Sequence, residues 1–108
     1  MSSGYMYILE CSDGSYYVGS TCHLERRLAQ HQNGEGANYT KSRLPVKLVY
    51  FEEFPDVAQA FYREKQVQGW GRKKREALIL ERQNQLPDLA KKYSLRVEST
   101  LQDQTPGT

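Results

Sequence analysis

The chain has 108 residues, 38% of them hydrophobic and 26% charged, which fits one globular domain with a modest core. No apolar run reaches the length of a membrane span, so a soluble protein is expected. The net charge of +2 is unevenly spread: residues 1–40 carry −2, residues 41–75 carry +5 and residues 76–108 carry −1. A positive middle third suits phosphate backbones, although a solvated lysine-rich surface has the same composition. Cys11 and Cys22 have neither metal-type spacing nor the number of a disulfide framework, so free thiols in a reducing cytoplasm are expected. The opening residues lack a basic segment followed by an apolar one, so no secretory signal is expected.

Tyr5-Met6-Tyr7-Ile8-Leu9 and Tyr16-Tyr17-Val18-Gly19-Ser20 are β-prone runs joined by a turn signal, Cys11-Ser12-Asp13-Gly14-Ser15. The turn sets the register. A two-residue Asp13-Gly14 loop would send Tyr7 and Tyr17 to opposite faces. A three-residue loop, Ser12-Asp13-Gly14 with Gly14 left-handed, pairs Leu9 with Tyr17 and puts both phenols on one face. The second arrangement is favoured because the phenols then converge.

A first helix is predicted from about Leu24 to Asn33, ended by Gly34. At 100° per residue Leu24, Arg27, Leu28 and His31 share one sector of about 100°, and Arg26 points away. The docking stripe therefore carries a guanidinium and an imidazole inward or to its edge. Phenols, guanidinium and imidazole together form a set that phosphodiester cleavage can use. Gly34 to Pro45 reads as a polar loop. Val46 to Phe54 is the third strand.

Asp56 can cap the next helix, about Val57 to Gln68. Its apolar stripe is Val57, Ala60, Phe61 and Val67, with Glu64 in the middle. A carboxylate facing the core costs several kcal/mol unless it is paired, protonated or metal-bound. A buried arginine, even Arg27, is one candidate partner. Gly69-Trp70-Gly71 breaks this helix, and a basic-headed one starts near Arg72 and runs through Ala77, Leu78 and Ile79. Pro87 interrupts it, and a short helical piece is expected around Leu89 to Tyr93. The polar stretch from about Glu98 is expected to be disordered. The order β-β-α-β-α-α defines an α+β fold: a small three-stranded, mainly antiparallel sheet flanked by helices.

These residues resemble the GIY-YIG endonuclease superfamily. Tyr5-Met6-Tyr7 stands where that family has GIY, and Tyr17-Val18-Gly19 where it has YIG. Leu24-Glu25-Arg26-Arg27-Leu28 puts Arg27 on the catalytic arginine, His31 falls where a His or Tyr follows one turn later, and Glu64 matches the metal-binding glutamate. The likeness covers about residues 4 to 80. It is greatest to small stand-alone bacterial members, which are similar to the N-terminal nuclease domain of the excision-repair protein UvrC. Two positions depart from the pattern. Tyr5 replaces the first glycine, with little consequence expected. Ser20 stands where UvrC-like members often carry lysine, which removes one phosphate contact.

The resemblance implies a metal-dependent DNA endonuclease in repair or in processing branched or single-stranded DNA. Residues 1–94 would form the nuclease domain and 95–108 a disordered tail. Tyr7, Tyr17, Arg27, His31 and Glu64 would be catalytic, with one Mg²⁺ or Mn²⁺ on Glu64. Arg27 can brace a phosphate oxygen with two donors. A phenol needs a neighbour to take its proton at neutral pH, and His31 could serve Tyr7. Tyr17 could orient the water; either tyrosine can be the base, with Tyr7 favoured. Lys41, Arg43, Arg72, Lys73, Lys74 and Arg75 would bind nucleic-acid phosphates. DNA is the expected partner, together with a repair protein if one presents the DNA, and a cytoplasmic monomer is expected. A nucleic-acid-binding module without turnover, for which Ser20 argues, and a nuclease subunit dependent on a partner are the alternatives.

Overall fold

A computed structural model describes residues 3–82. Strand β1 (Gly4–Glu10) and strand β2 (Tyr16–Thr21) form the hairpin, followed by helix α1 (Leu24–Gln32) and a single-turn helix α2 (Asn38–Lys41). Strand β3 (Lys47–Phe54), helix α3 (Val57–Gln68) and helix α4 (Arg72–Arg82) complete the fold. The expected Pro87 break, the helical piece near Leu89 and the tail from residue 95 lie outside the described residues.

The sheet is antiparallel with β1 at its centre, in the order β2-β1-β3. Gly14 takes φ +85°, Cys11 and Ser15 close a three-residue loop, and Leu9 pairs with Tyr17 as the turn chemistry requires. Asp13 fixes the loop by accepting from the Ser15 N–H and hydroxyl. Because β1 is covered on both faces, it is apolar without alternation. Tyr7 and Leu9 pack with Leu24 and Leu28 of α1, while Met6 and Ile8 pack with Val67 of α3 and Leu78 and Ile79 of α4.

Three features differ from the sequence reading. The loop after α1 contains the turn of helix α2, which buries Thr40. Strand β3 has a bulge at Val49, since Ile8 faces Tyr50 but Leu9 faces Leu48. The extra residue turns Tyr50 to one core and leaves Leu48 in the other. On α3 the buried line is Ala60, Glu64 and Val67, while Val57 and Phe61 are 43% and 51% exposed. Phe61 sits about a quarter turn from that line, so an apolar side chain there flanks the interface rather than filling it.

Asp56 caps α3 by accepting from the Gln59 N–H at 2.9 Å. Gly34, at φ +77°, ends α1 and its N–H bonds the His31 carbonyl.

Candidate active site

The hairpin and α1 bring four of the five expected side chains together. Tyr7 and Tyr17 are two positions apart in the β1–β2 register and share a face, with ring centres 6.4 Å apart. His31, one turn beyond Arg27 on α1, lies 5.7 Å from the Tyr7 ring and 5.3 Å from the Tyr17 ring. Its Nε2 is 2.9 Å from the Tyr7 hydroxyl. Gly19, opposite Tyr7, supplies the room: a Cβ there would fall 2.5 Å from the Tyr7 oxygen. Arg27 is partly buried beside the phenols and its Nη1 donates to Gln30, whereas Arg26 is exposed.

Burial dominates the electrostatics. It pushes the Tyr7 phenol up to about 12, with the Arg27 guanidinium pulling against it. Tyr17 is half-buried and also raised by desolvation, again opposed by Arg27. Desolvation, with the charge of Arg27, pushes His31 down to about 4, so the imidazole is neutral at pH 7.

Glu64 approaches from the other face of the sheet. Along β2, Ser20 and Val18 alternate with Gly19 and Tyr17 and turn toward α3. Ser20 donates to Glu64 Oε1 at 2.5 Å, and Gln68, one turn along α3, donates to Oε2 at 2.7 Å. The ion-pair partner is Lys65 at 3.7 Å, not Arg27. The carboxylate charge still reaches both phenols and raises their pKa. Ser20 thus holds the glutamate in place of contacting phosphate. Gln68 was legible as an i,i+4 neighbour of Glu64; Thr40, whose Oγ1 is 2.8 Å from His31 Nδ1, left no sequence signal.

The basic residues divide into two groups. Lys41, Lys73 and Lys74 are exposed, with Lys74 over the Trp70 ring. The arginines have structural partners. Arg43 pairs with Asp13, donates to the Tyr39 carbonyl and lies 3.9 Å over the Tyr39 ring. Arg72 pairs with Glu76, donates to the Gly14 carbonyl and covers Tyr16. Arg75 donates to the Val67 and Gln68 carbonyls at the end of α3. Beside the site, Tyr16, Tyr17, Val18, Tyr39, Gln68 and Arg75 line a cleft of about 350 Å³. It shares Tyr17 with the phenol–imidazole cluster and Gln68 with the Glu64 contacts.

A family model described as the GIY-YIG catalytic domain matches residues 3–78, the whole sheet and both sides of this cluster. The chain belongs to that family. The GIY-YIG domain here is similar to a UPF0213 protein of Streptococcus pneumoniae serotype 4, 46% identical over 80 residues that cover 74% of this chain and 81% of that one. A UPF0213 protein of Haloquadratum walsbyi is 47% identical over 77 residues, 71% and 86% of the two chains. Among solved structures, the UPF0213 protein BH0048 from Bacillus halodurans shares the GIY-YIG fold at a TM-score of 0.53 and 37% identity, covering 85% of this chain and 98% of that one. Protein EF2693 from E. faecalis matches at 0.52 and 36% identity, over 75% and 86%. Among the described residues no helix is long and apolar enough to cross a membrane.

Proposed function

We propose that this GIY-YIG domain is a metal-dependent DNA endonuclease that acts in the cytoplasm on single-stranded or branched DNA, in repair or strand processing. The observation that carries the reading is the contact between the Tyr7 hydroxyl and a neutral, fully buried His31, with Arg27 beside it and a buried carboxylate across the strand.

Glu64 fits a hydrated Mg²⁺ or Mn²⁺. It is a hard oxygen ligand, nearly buried, and both oxygens accept from neutral donors, with one lysine at 3.7 Å. Among the described residues no group of three or more His, Cys, Asp or Glu side chains could cage a metal, so an ion here would rest on Glu64 alone among the side chains. Mg²⁺ is commonly held by one or two carboxylates, with waters and phosphate oxygens completing its shell. Such an ion would relieve charge on the phosphate.

The chain's own residues supply the rest. Arg27 braces a non-bridging phosphate oxygen with two N–H donors. The Tyr7 hydroxyl takes a proton from the attacking water while passing its own to His31 Nε2. One O–H bond of water breaks as one forms on Tyr7, and the former Tyr7 O–H is replaced by Nε2–H. The water oxygen bonds phosphorus and the leaving oxygen departs with the electron pair of its P–O bond. Concerted transfer avoids a free phenolate, which a pKa near 12 beside one near 4 would strongly disfavour. Tyr17, half-buried at the mouth, orients the water or the phosphate.

The aromatic cleft favours unpaired substrates. Bases freed from a duplex can rest against tyrosines while exposed lysines follow the backbone. The second reading, a binding module without turnover, draws support from Ser20 and Gln68, which satisfy Glu64 without a cation. Cleavage of hairpin, flap, single-stranded and duplex DNA with Mg²⁺, repeated with chelator, separates the two. Metal-dependent cutting of unpaired strands is expected. Binding without cutting under every metal condition favours the second reading.

A further inference from the structure

Thr40 has no part in the chemistry above, yet it is as fully buried as His31. Helix α2 carries it to the side of the imidazole opposite Tyr7. Its Oγ1 makes two contacts, to the Ala37 carbonyl at 3.0 Å and to His31 Nδ1 at 2.8 Å. The Ala37 carbonyl can only accept, and it also takes the Lys41 N–H, so the one hydroxyl proton of Thr40 has two places to go: Ala37 or His31 Nδ1. With the proton on Ala37, Thr40 accepts from His31 and Nδ1 carries the N–H. A neutral imidazole has a single N–H, so Nε2 presents a bare lone pair. In that tautomer the 2.9 Å contact is Tyr7 donating to His31. Gly36 closes the pocket: a Cβ there would fall 2.3 Å from Nδ1, so the backbone lies against the ring where a solvent partner would otherwise reach it.

We propose that Thr40 is a positioning residue that fixes the His31 tautomer, keeping the proton on Nδ1 so that Nε2 stays open to the proton of Tyr7. With the opposite tautomer, Nε2–H would donate to the Tyr7 oxygen. The Tyr7 proton would point elsewhere, and His31 would have no lone pair on that side to receive it. During the relay the Nδ1–H and Thr40 O–H bonds both stay intact; Thr40 orients and does not ionise. The inference rests on the proposed roles of Tyr7 and His31, but the tautomer can be read without substrate.

The test is long-range ¹H–¹⁵N NMR of the His31 ring nitrogens in the full chain, near pH 7.5, for wild type, Thr40→Ser and Thr40→Val. Wild type and Thr40→Ser should show a protonated Nδ1 and an unprotonated Nε2. Thr40→Val, similar in shape but unable to accept, should move population toward Nε2–H. Its turnover on DNA should fall about 10–100-fold at unchanged KM, the loss seen when the orienting partner of a metal-ligating histidine is removed, and Thr40→Ser should restore it. Nε2–H in the wild type overturns the proposal. So does a folded Thr40→Val protein with the wild-type tautomer, whatever its turnover. If Thr40→Val does not fold, the wild-type and Thr40→Ser spectra still decide. A wild type that shows the Nδ1–H tautomer but cuts no DNA refutes the nuclease reading and leaves the tautomer assignment standing.

Discussion

The Tyr7 ring occupies the space that Gly19, its partner across the β1–β2 ladder, leaves empty. A methyl group at position 19 would lie 2.5 Å from the Tyr7 oxygen and 3.1 Å from the Tyr17 ring. The glycine of the second motif is thus a steric condition for the tyrosine of the first. Gly19→Ala should lower stability by about 1–3 kcal/mol through overpacking. It should reduce cleavage by about 10²-fold or more through displacement of the phenol. Thermal melting and single-turnover cleavage check both; an unchanged rate would show that Tyr7 is not held there for chemistry.

Arg27 and Arg26 are adjacent, but one is partly buried beside the phenols and the other is exposed. Arg27→Ala should slow cleavage about 10²–10³-fold, the usual loss for one preorganised donor to developing charge. Arg26→Ala should leave the rate within about twofold, by the same reasoning, since it aims at solvent. Cleavage rates for the pair measure this, and equal losses would contradict the assignment.

His31 makes stability depend on acid. Its folded pKa, about 4, lies below the ordinary 6.5 because burial disfavours the imidazolium. The unfolded chain therefore binds the proton first. The stabilisation is full above about pH 6.5, is lost progressively as pH falls, and levels off below about 4. The loss should approach about 3 kcal/mol across that window. Urea unfolding at successive pH values should show it, and His31→Gln should remove most of the slope between pH 6.5 and 5. An identical slope in the variant would assign the effect to other groups.

Binding should be weak, salt-sensitive and indifferent to sequence. Lys41, Lys73 and Lys74 are the exposed lysines expected to contact phosphate, Lys74 from over the Trp70 ring, while Arg43, Arg72 and Arg75 also have partners within the protein. If about three cations engage, log K should fall with log[salt] at a slope near −3, and Lys73→Ala with Lys74→Ala should flatten it by about 2. Fluorescence anisotropy across a salt series measures both. A salt-insensitive, sequence-specific duplex target would contradict this.

Much of the site was legible because local chemistry determined it. Gly14 fixed the hairpin register and so the shared face of Tyr7 and Tyr17. Helical phase separated Arg27 from Arg26 and set Glu64 on the buried line of α3. What was not legible depended on a single residue or on distant contact. The bulge at Val49 adds one residue without a turn signal. Helix α2 is too short to show periodicity, which hid Thr40. Ser20 reads as a lost phosphate contact until the fold brings α3 across β2 and gives its hydroxyl a carboxylate. Val57 and Phe61 look like core by composition and prove to flank it.

The most direct test is the rate of DNA cleavage by Glu64→Gln beside wild type in Mg²⁺, with melting temperatures for both. The amide keeps the size of the side chain and can still accept from Ser20, but its NH2 then faces the Gln68 NH2, which loses one acceptor. Stability should therefore fall by no more than about 1–3 kcal/mol, the cost of one unsatisfied donor. Wild type should cut and the variant should lose at least about 10²-fold, as expected for removing a key electrostatic group. A variant that cuts at the wild-type rate, or one that melts far lower while still cutting, would show that Glu64 is a structural residue and not the metal ligand of a nuclease.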